Sequence, residues 1–260
     1  MAKHKQKTQV TGAIELFSKS YDAVMKNIKA FAVLLALPFA ASVISTLSDT
    51  NKDATFIEKT GGFSGLSLAG YSIVGLVGVT TILVIAGFVV ALVLQAMIYG
   101  LQLEAAKGAK PSLNTLLKLG KKYWLKLFGV MLLIGFYIAV PVMLVAGVFF
   151  LLTTAIGSSY LTAIVSIVLV IVVIVFVLQH YFLAPYALID KDLSVFDALQ
   201  ESSRISKGYA SSIWSIIGVS ILLSATGALP VLGPLLSFAL SALYSVAPAI
   251  RYQELKQIQK

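Results

Sequence analysis

The sequence contains no cysteine and only two histidines, His4 and His180, in 260 residues. Disulfides, thiolate metal sites and cysteine nucleophiles are therefore excluded, and a metal site built on nitrogen and sulfur would lack ligands. Charged residues make up 12% of the chain, about half of the roughly 25% usual in soluble proteins. Because 58% of the residues are hydrophobic, the chain cannot cover a water-facing surface, and we predict a membrane protein.

Uncharged apolar runs recur at the length that a bilayer requires, which is about 20 residues for a hydrocarbon core of about 30 Å. They predict a single all-α domain, a polytopic bundle with six membrane-spanning helices. The spans are expected at 30–47, 70–103, 124–152, 160–188, 212–229 and 231–250. The turn at 229–234 is short and uncharged, so a re-entrant pair is the alternative for the last two spans. The Lys-rich start has no cleavage-site pattern, and we expect the first span to be retained.

The distribution of positive charge orients these spans. The net charge is +9, and of the 20 basic residues all except Lys52 and Lys59 fall on one side. The positive-inside rule places that side, with both termini, in the cytoplasm of a multi-pass plasma-membrane protein. The positive charge is thereby explained by topology, and we expect no nucleic-acid partner.

Short patterns repeat along the chain. A small residue, Lys, any residue and Tyr occur at 18–21, 120–123 and 206–209, each before an odd-numbered span. Each follows a candidate N-cap, namely Thr11, Ser112 or Ser194. Tyr followed by Ala-Pro three residues later occurs at 181–185 and again at 244–248. We interpret these patterns as three parallel repeats, at about 11–104, 111–190 and 194–255, in a pseudo-threefold arrangement.

Each repeat is predicted to begin with an amphipathic helix at the membrane interface and to continue into a hairpin of two spans. Such a helix lies in the headgroup layer with its lysines toward anionic lipid. Either it senses lipid or recruits a protein partner, or it is a collar that sets the depth of the spans, which is the commoner use. The candidates for contact with anionic headgroups on the cytoplasmic side are Lys19, Tyr21, Lys121, Lys122, Tyr123, Lys207 and Tyr209.

Ionisable residues at the bilayer midplane would indicate an ion or proton pathway, and the predicted spans place none there. Gln95 and Gln179 are the main long polar side chains within spans, and His180 lies beside Gln179 near the cytoplasmic end of the fourth span. These three are the candidates for a polar pathway. We expect no catalytic residue, no cofactor and no metal.

Acidic residues cluster in the last cytoplasmic loop, at Asp190, Asp192, Asp197 and Glu201. Paired carboxylates bind divalent ions or act as acid and base, which is one interpretation. We favour a solvated helix start, in which Ser194 is the N-cap and Asp197 takes the Glu position of a capping box.

Residues 181–214 read YFLAPYALIDKDLSVFDALQESSRISKGYASSIW. This segment resembles the hallmark of a broad prokaryotic group of six-helix membrane proteins, which includes the membrane domain attached to some glycerophosphoryl diester phosphodiesterases. Members similarly show a span ending in aromatic-Leu-Ala-Pro, an acidic turn, and an Ala-Leu, Ser and Lys-Gly helix entering the next span. The resemblance implies a multi-helix domain, accessory to lipid-handling enzymes, and carries over no catalytic residue. Elsewhere it is only topological.

Three functions follow from these patterns. The leading hypothesis is a non-enzymatic integral membrane protein that scaffolds partners or organises the local bilayer. The alternative is a permease or channel for a small or apolar solute, which requires a polar path between the repeats. The third is an enzyme that acts on lipid headgroups through Asp190, Asp192 or Glu201. We expect no phosphodiesterase domain in this chain, and the enzyme therefore has the weakest support.

Overall fold

The computed structural model describes residues 10–36, 70–156, 160–229 and 232–259. All regular secondary structure in these ranges is helical, which confirms the all-α prediction. The helices are α1 (Ala13–Lys26), α2 (28–36), α3 (Gly70–Ala106), α4 (Leu113–Ile156), α5 (Tyr160–Tyr181), α6 (Ala184–Lys191), α7 (Val195–Ser206), α8 (Ala210–Ala225), α9 (Gly233–Tyr244) and α10 (Ala247–Ile258).

Within the described residues, five helical segments are long and apolar enough to cross a membrane, as expected of a multi-pass membrane protein. They are Ile85–Ala106, Leu113–Thr154, Ile164–Lys191, Ala210–Ala228 and Gly233–Ile258. These segments overlap the second to sixth predicted spans. The predicted first span is helical over 30–36, and its remainder lies outside the described residues, as do Lys52 and Lys59 of the loop that follows it.

Two helix breaks are explained by proline. Pro185 and Pro248 are the second residues of α6 and α10. A proline has no N–H to donate, and its ring clashes with the carbonyl four residues earlier, which here belongs to the last residue of α5 or α9. At the corresponding distance after Tyr99 the chain has Leu103, and α3 continues without a break to Ala106. The second predicted span consequently ends differently from the fourth and the sixth.

The predicted amphipathic helix of the second repeat is not a separate helix. Residues 113–123 form the start of α4, which runs unbroken for 44 residues. In the third repeat two separate helices form, because Gly208 adopts a φ of +85° between α7 and α8. This left-handed conformation is readily available only to glycine, and Lys122 stands at the matching position of the second repeat.

The buried core lies at one end of the bundle, where the basic residues also cluster. It is formed by α6, α7 and α10 with the adjoining ends of α3, α4 and α8. The other halves of α4 and α5 expose their apolar side chains, and Met143 is 73% exposed. Since these helices satisfy their own backbone hydrogen bonds, such surfaces suit lipid contact. Side-chain packing therefore holds the bundle together mainly at its basic end.

Candidate functional site

A pocket of ≈ 500 Å³ lies between the spans at the level of the two proline breaks. Helices α3, α4 and α5, the α5–α6 junction and the α9–α10 junction all contribute to its wall. Its volume falls within the roughly 300–1,000 Å³ of typical small-molecule sites. The apolar wall includes Met131, Ile134, Ile138, Leu178 and Phe182, and the polar wall consists of Gln95, Tyr99, Gln102, Tyr181, Tyr186 and Ser245.

One face of α3 supplies much of the polar wall, because Gln95, Tyr99 and Gln102 are spaced by four and three residues. Gln102 is only 7% exposed, and its Oε1 accepts a hydrogen bond of 2.8 Å from the hydroxyl of Tyr186. No hydrogen bond of the described residues uses its amide nitrogen. The ring of Tyr186 also packs edge-on against Tyr99, with the ring centroids 5.2 Å apart. The wall thus presents an amide nitrogen that forms no hydrogen bond with the described residues.

A second polar layer lies behind Tyr186, toward the basic end. Tyr252 stacks on Tyr186 with a centroid distance of 6.4 Å, and its hydroxyl donates to Oδ2 of Asp190 at 3.0 Å. The Asp190 carboxylate is 4% exposed and forms ion pairs with Lys107 and Lys256. The two tyrosines and this buried carboxylate therefore separate the pocket from the basic end of the molecule.

Further ion pairs connect the helices at the basic end, and we call α1, α6, α7, α10 and the start of α4 the collar. Lys122 and Lys126 of α4 lie 2.7 and 3.1 Å from the carboxylate of Asp192. The hydrogen bond from Lys122 lowers the pKa of Asp192 to about 2. The loop after α6 is thereby fixed to α4.

The carboxylate of Glu201 in α7 has two cationic partners. Arg204 lies 2.8 Å and Lys191 2.6 Å from Oε1 of Glu201. The hydrogen bond from Arg204 is the main cause that lowers the pKa of Glu201 to about 2, and Lys191 adds to it. A carboxylate held in this way is a poor general base near neutral pH.

The third contact region joins α1 to α10. The buried side chain of Arg251 pairs with Glu254 at 2.9 Å and donates to the backbone carbonyl of Thr11 at 2.8 Å. Glu254 also accepts from the hydroxyl of Thr11 and lies 3.8 Å from Lys19. The N-terminal helix is thereby fixed to the last helix of the chain.

The structure places the predicted headgroup ligands in unequal surroundings. Lys19 pairs with Glu15 at 3.0 Å, and Lys122 pairs with Asp192. Within the described residues, Lys121 and Lys207 are exposed and form no ion pair. The tyrosines of the repeated pattern differ too, since one is exposed, one buried and one intermediate: Tyr21, Tyr123 and Tyr209, in that order.

The predicted polar pathway is brought together only in part. Gln95 lines the pocket. Gln179 instead accepts a hydrogen bond of 3.4 Å from the indole of Trp214, and Nδ1 of His180 lies 2.8 Å from the carbonyl of Phe176. Sequence reasoning missed Gln102, whose spacing from Gln95 and Tyr99 along one helix face was the available signal.

The acidic run has mixed surroundings. Ser194 is the N-cap of α7, as predicted, and its Oγ accepts from the backbone N–H of Asp197 at 3.3 Å. The interpretation as a solvated helix start is wrong for Asp190, because that side chain is buried against two lysines and a tyrosine. The described residues contain no group of three or more His, Cys, Asp or Glu placed to hold a metal ion.

Small residues mark three places where a helix of the collar crosses the end of a span. Ser20 of α1 donates to the carbonyl of Leu243 at 2.8 Å, and Ser202 of α7 donates to that of His180 at 2.8 Å. At Gly120 of α4, an added Cβ would lie 2.6 Å from Cγ of Met97 and 3.0 Å from the carbonyl of Val93. Leu243, His180 and Met97 come one or two residues before Tyr244, Tyr181 and Tyr99. The three crossings therefore lie at similar points along the spans.

The chain matches no protein-family model, and no curated protein or solved structure matches it. The resemblance of residues 181–214 to the six-helix group stays a prediction that rests on those residues alone.

Proposed function

We propose that the chain is a non-enzymatic integral membrane protein whose collar forms a rigid cytoplasmic scaffold for anionic lipid and, on that surface, for a protein partner. One observation carries the proposal, which is a closed set of contacts among the predicted repeats. Gln102 of the first repeat contacts Tyr186 of the second. Asp190 of the second contacts Tyr252 of the third, and Glu254 of the third contacts Lys19 of the first.

The proposal includes six membrane-spanning helices, three repeats and a cytoplasmic location for the collar. Helix α2 leads into the predicted first span, which would add one crossing to the five apolar segments. The helix–helix contacts at Ser20, Gly120 and Ser202 support an arrangement in which the first helix of each repeat packs on the end of a span from another repeat. The positive-inside rule supports the cytoplasmic location of the collar, because the basic residues lie there.

Exposed lysines without a carboxylate partner supply the surface for lipid. A Lys near an anionic bilayer surface contributes about 1 kcal/mol of attraction. Asp190, Asp192, Glu201 and Glu254 of the collar already have cationic partners and do not compete for these lysines. Within the described ranges, the exposed lysines that form no ion pair are Lys26, Lys29, Lys110, Lys118, Lys121 and Lys207.

The test compares the lipid retained by two charge variants. The full chain is purified by mild detergent from membranes containing phosphatidylglycerol, and the bound lipid is counted by native mass spectrometry. Combining Lys118→Gln and Lys121→Gln should lower the retained phosphatidylglycerol. The matched control combines Glu15→Gln with Lys19→Gln, an exposed ion pair of 3.0 Å, which removes one charge of each sign and should leave the retained lipid unchanged. Equal retention in both variants would reject the scaffold surface.

The pocket between the spans favours a second function, a permease for a small neutral solute. Transport would require the layer of Tyr186, Tyr252 and Asp190 to open. Glycerol flux into proteoliposomes, followed by light scattering, separates the two functions. The scaffold proposal expects no flux above that of empty liposomes. A flux that disappears in a Gln95→Leu variant would replace the scaffold by the permease.

The enzyme hypothesis has less support, because Asp190, Asp192 and Glu201 all have cationic partners. Asp192→Asn is the suitable variant for testing it, since Asp192 is exposed and its loss should not disturb folding. Unchanged biological activity in that variant is expected. Lipid-handling enzymes, the partner class implied by the resemblance of residues 181–214, are the first partners to seek by co-purification.

A further inference from the structure

We infer that the pocket between the spans binds an uncharged glycerolipid through an ester carbonyl, with the Gln102 amide as the donor. This ligand site goes beyond the proposed scaffold, because it lies in the pocket and not on the lysine surface of the collar. Four observations support this inference. The described residues of the pocket wall carry no charged side chain, and they include hydrogen-bond donors that no described residue uses. The rest of the wall is apolar, and the pocket lies at the depth of lipid ester groups.

The wall of the pocket excludes an ionised group. None of the described residues that line it is Asp, Glu, Lys, Arg or His. The nearest charged groups, Asp190 with Lys107 and Lys256, lie beyond Tyr186 and Tyr252 and are already paired with one another. A phosphate in the pocket would lose hydration without gaining a counter-charge, which is strongly unfavourable. The buried part of the ligand is therefore uncharged.

Two polar groups of the wall are donors that form no hydrogen bond with the described residues. Oε1 of Gln102 is occupied by the Tyr186 hydroxyl, which leaves the amide nitrogen of this 7% exposed side chain to find an acceptor. The hydroxyl of Tyr181, whose ring stacks on Tyr137 at 5.3 Å, also makes no hydrogen bond within the described residues. A ligand carbonyl that accepts from such a donor gains a hydrogen bond with a net contribution of about 0.5–1.5 kcal/mol.

The rest of the wall is apolar and suits an acyl chain. Met131, Ile134 and Ile138 lie on one face of α4, opposite Leu178 and Phe182. Depth identifies the ester region of a lipid. Lys126 pairs with Asp192 in the collar. Met131 lies five residues further along the same helix, which corresponds to roughly 7.5 Å. Ester carbonyls lie at about this distance below the charged headgroups, since the headgroup layers add roughly 5–8 Å to each side of the hydrocarbon core.

The test uses a photoactivatable diacylglycerol added to the full chain in nanodiscs, with the crosslinked peptides identified by mass spectrometry. Crosslinks should map to α3 near 95–102 and to α4 near 131–138. Unlabelled diacylglycerol should compete, whereas its dialkyl ether analogue, which lacks the ester carbonyls, should compete about tenfold less, the effect of one neutral hydrogen bond. Equal competition by the ether, by phosphatidylglycerol or by a quinone would overturn the proposal.

Protein variants test the same contact from the other side. Gln102→Leu should lower the crosslink yield about tenfold. Gln179→Leu is the control, because Gln179 contacts Trp214 and does not line the pocket. Gly135→Leu keeps the proposal testable if Gln102→Leu fails to fold, since Gly135 lines the pocket and a Cβ there meets nothing within 4 Å. Its side chain should fill the pocket and abolish crosslinking, and a yield unchanged by both variants would reject the site.

Discussion

Nζ of Lys107 lies 2.9 Å from Oδ1 of Asp190, a carboxylate that is 4% exposed and also contacts Lys256 and Tyr252. Asp190→Asn would leave Lys256 without its carboxylate partner and Lys107 with Glu104 alone. We expect the free energy of unfolding to fall by about 3 kcal/mol, as when one partner of a buried pair is removed. Thermal unfolding in detergent micelles measures the change. Asp192→Asn, at an exposed ion pair, should leave the unfolding midpoint nearly unchanged, and an equal loss in both variants would contradict the prediction.

Acid should loosen the collar. The pKa values of Glu201 and Asp192 are lowered to about 2, below the roughly 4 of unfolded carboxyls. The ion pairs of Glu201, whose side chain is 14% exposed, therefore stabilise the fold fully above about pH 5 and lose this contribution as the pH falls toward 2. Solvent screens the exposed pair of Asp192, which adds little. The unfolding midpoint recorded between pH 7 and pH 2.5 tests this. Glu201→Gln should make the acid-induced decrease smaller, and a variant with an unchanged decrease would show that Glu201 does not contribute.

Ser20 should matter more than Ser18 of the repeated sequence pattern. The Ser20 hydroxyl donates to the carbonyl of Leu243 and accepts from the N–H of Val246 at 3.2 Å. Ser20→Ala leaves both buried backbone groups without this partner, and we expect a loss of about 1–3 kcal/mol. Ser18→Ala, at an exposed position of the same helix, should be nearly neutral. Urea unfolding in micelles compares the free energies of unfolding of the two variants. Equal losses would argue against a stabilising contact between Ser20 and the end of α9.

Close approach of α3 and α4 depends on Gly120. A Cβ at this residue meets Cγ of Met97 at 2.6 Å and the backbone oxygen of Val93 at 3.0 Å. Gly120→Ala should therefore destabilise the fold by about 1–3 kcal/mol, as overpacking does. Gly147→Ala is the matched control in the same helix, because nothing lies within 4 Å of its added Cβ. A drop in unfolding temperature for the control as large as that for Gly120→Ala would contradict this assignment.

The absence of cysteine makes the proposed topology directly testable. In the proposed topology, single cysteines at positions 52 and 110 lie on opposite sides of the membrane. A membrane-impermeant maleimide added to intact cells should label Lys52→Cys at once and Lys110→Cys only after permeabilisation. Labelling of both in intact cells would contradict the cytoplasmic location of the collar.

The all-α architecture and the multiple apolar segments were predictable, because a bilayer demands about 20 apolar residues for each crossing whatever the packing. The helix breaks before Pro185 and Pro248 were not predicted, since the spans expected at 160–188 and 231–250 ran across both prolines and Pro141 is accommodated within α4. The continuous start of α4 was not anticipated, since residues 120–123 match the patterns at 18–21 and 206–209. The patterns differ in the residue before Tyr, where Gly208 ends one helix and Lys122 allows the other to continue.

The burial of Asp190 and the role of Gln102 depend on tertiary contacts and were not predictable. Lys107, Tyr252 and Lys256 reach Asp190 from other helices, far along the chain. Gln102 lies next to the end of the predicted second span, and only the approach of Tyr186 identifies its free amide nitrogen. By contrast, Gln95 was found because it interrupts an apolar run.

The exposed outer halves of α4 and α5 have a consequence for membranes of different thickness. Helix α4 has 44 residues, or roughly 66 Å of rise, which exceeds even a bilayer of about 45 Å with its headgroups. Because the start of this helix is fixed in the collar and few side chains of its outer half pack against protein, we expect the outer half to bend, or the lipid to adjust, until the apolar lengths match. Hydrophobic mismatch would then be absorbed away from the collar, whose geometry should stay constant between thin and thick bilayers.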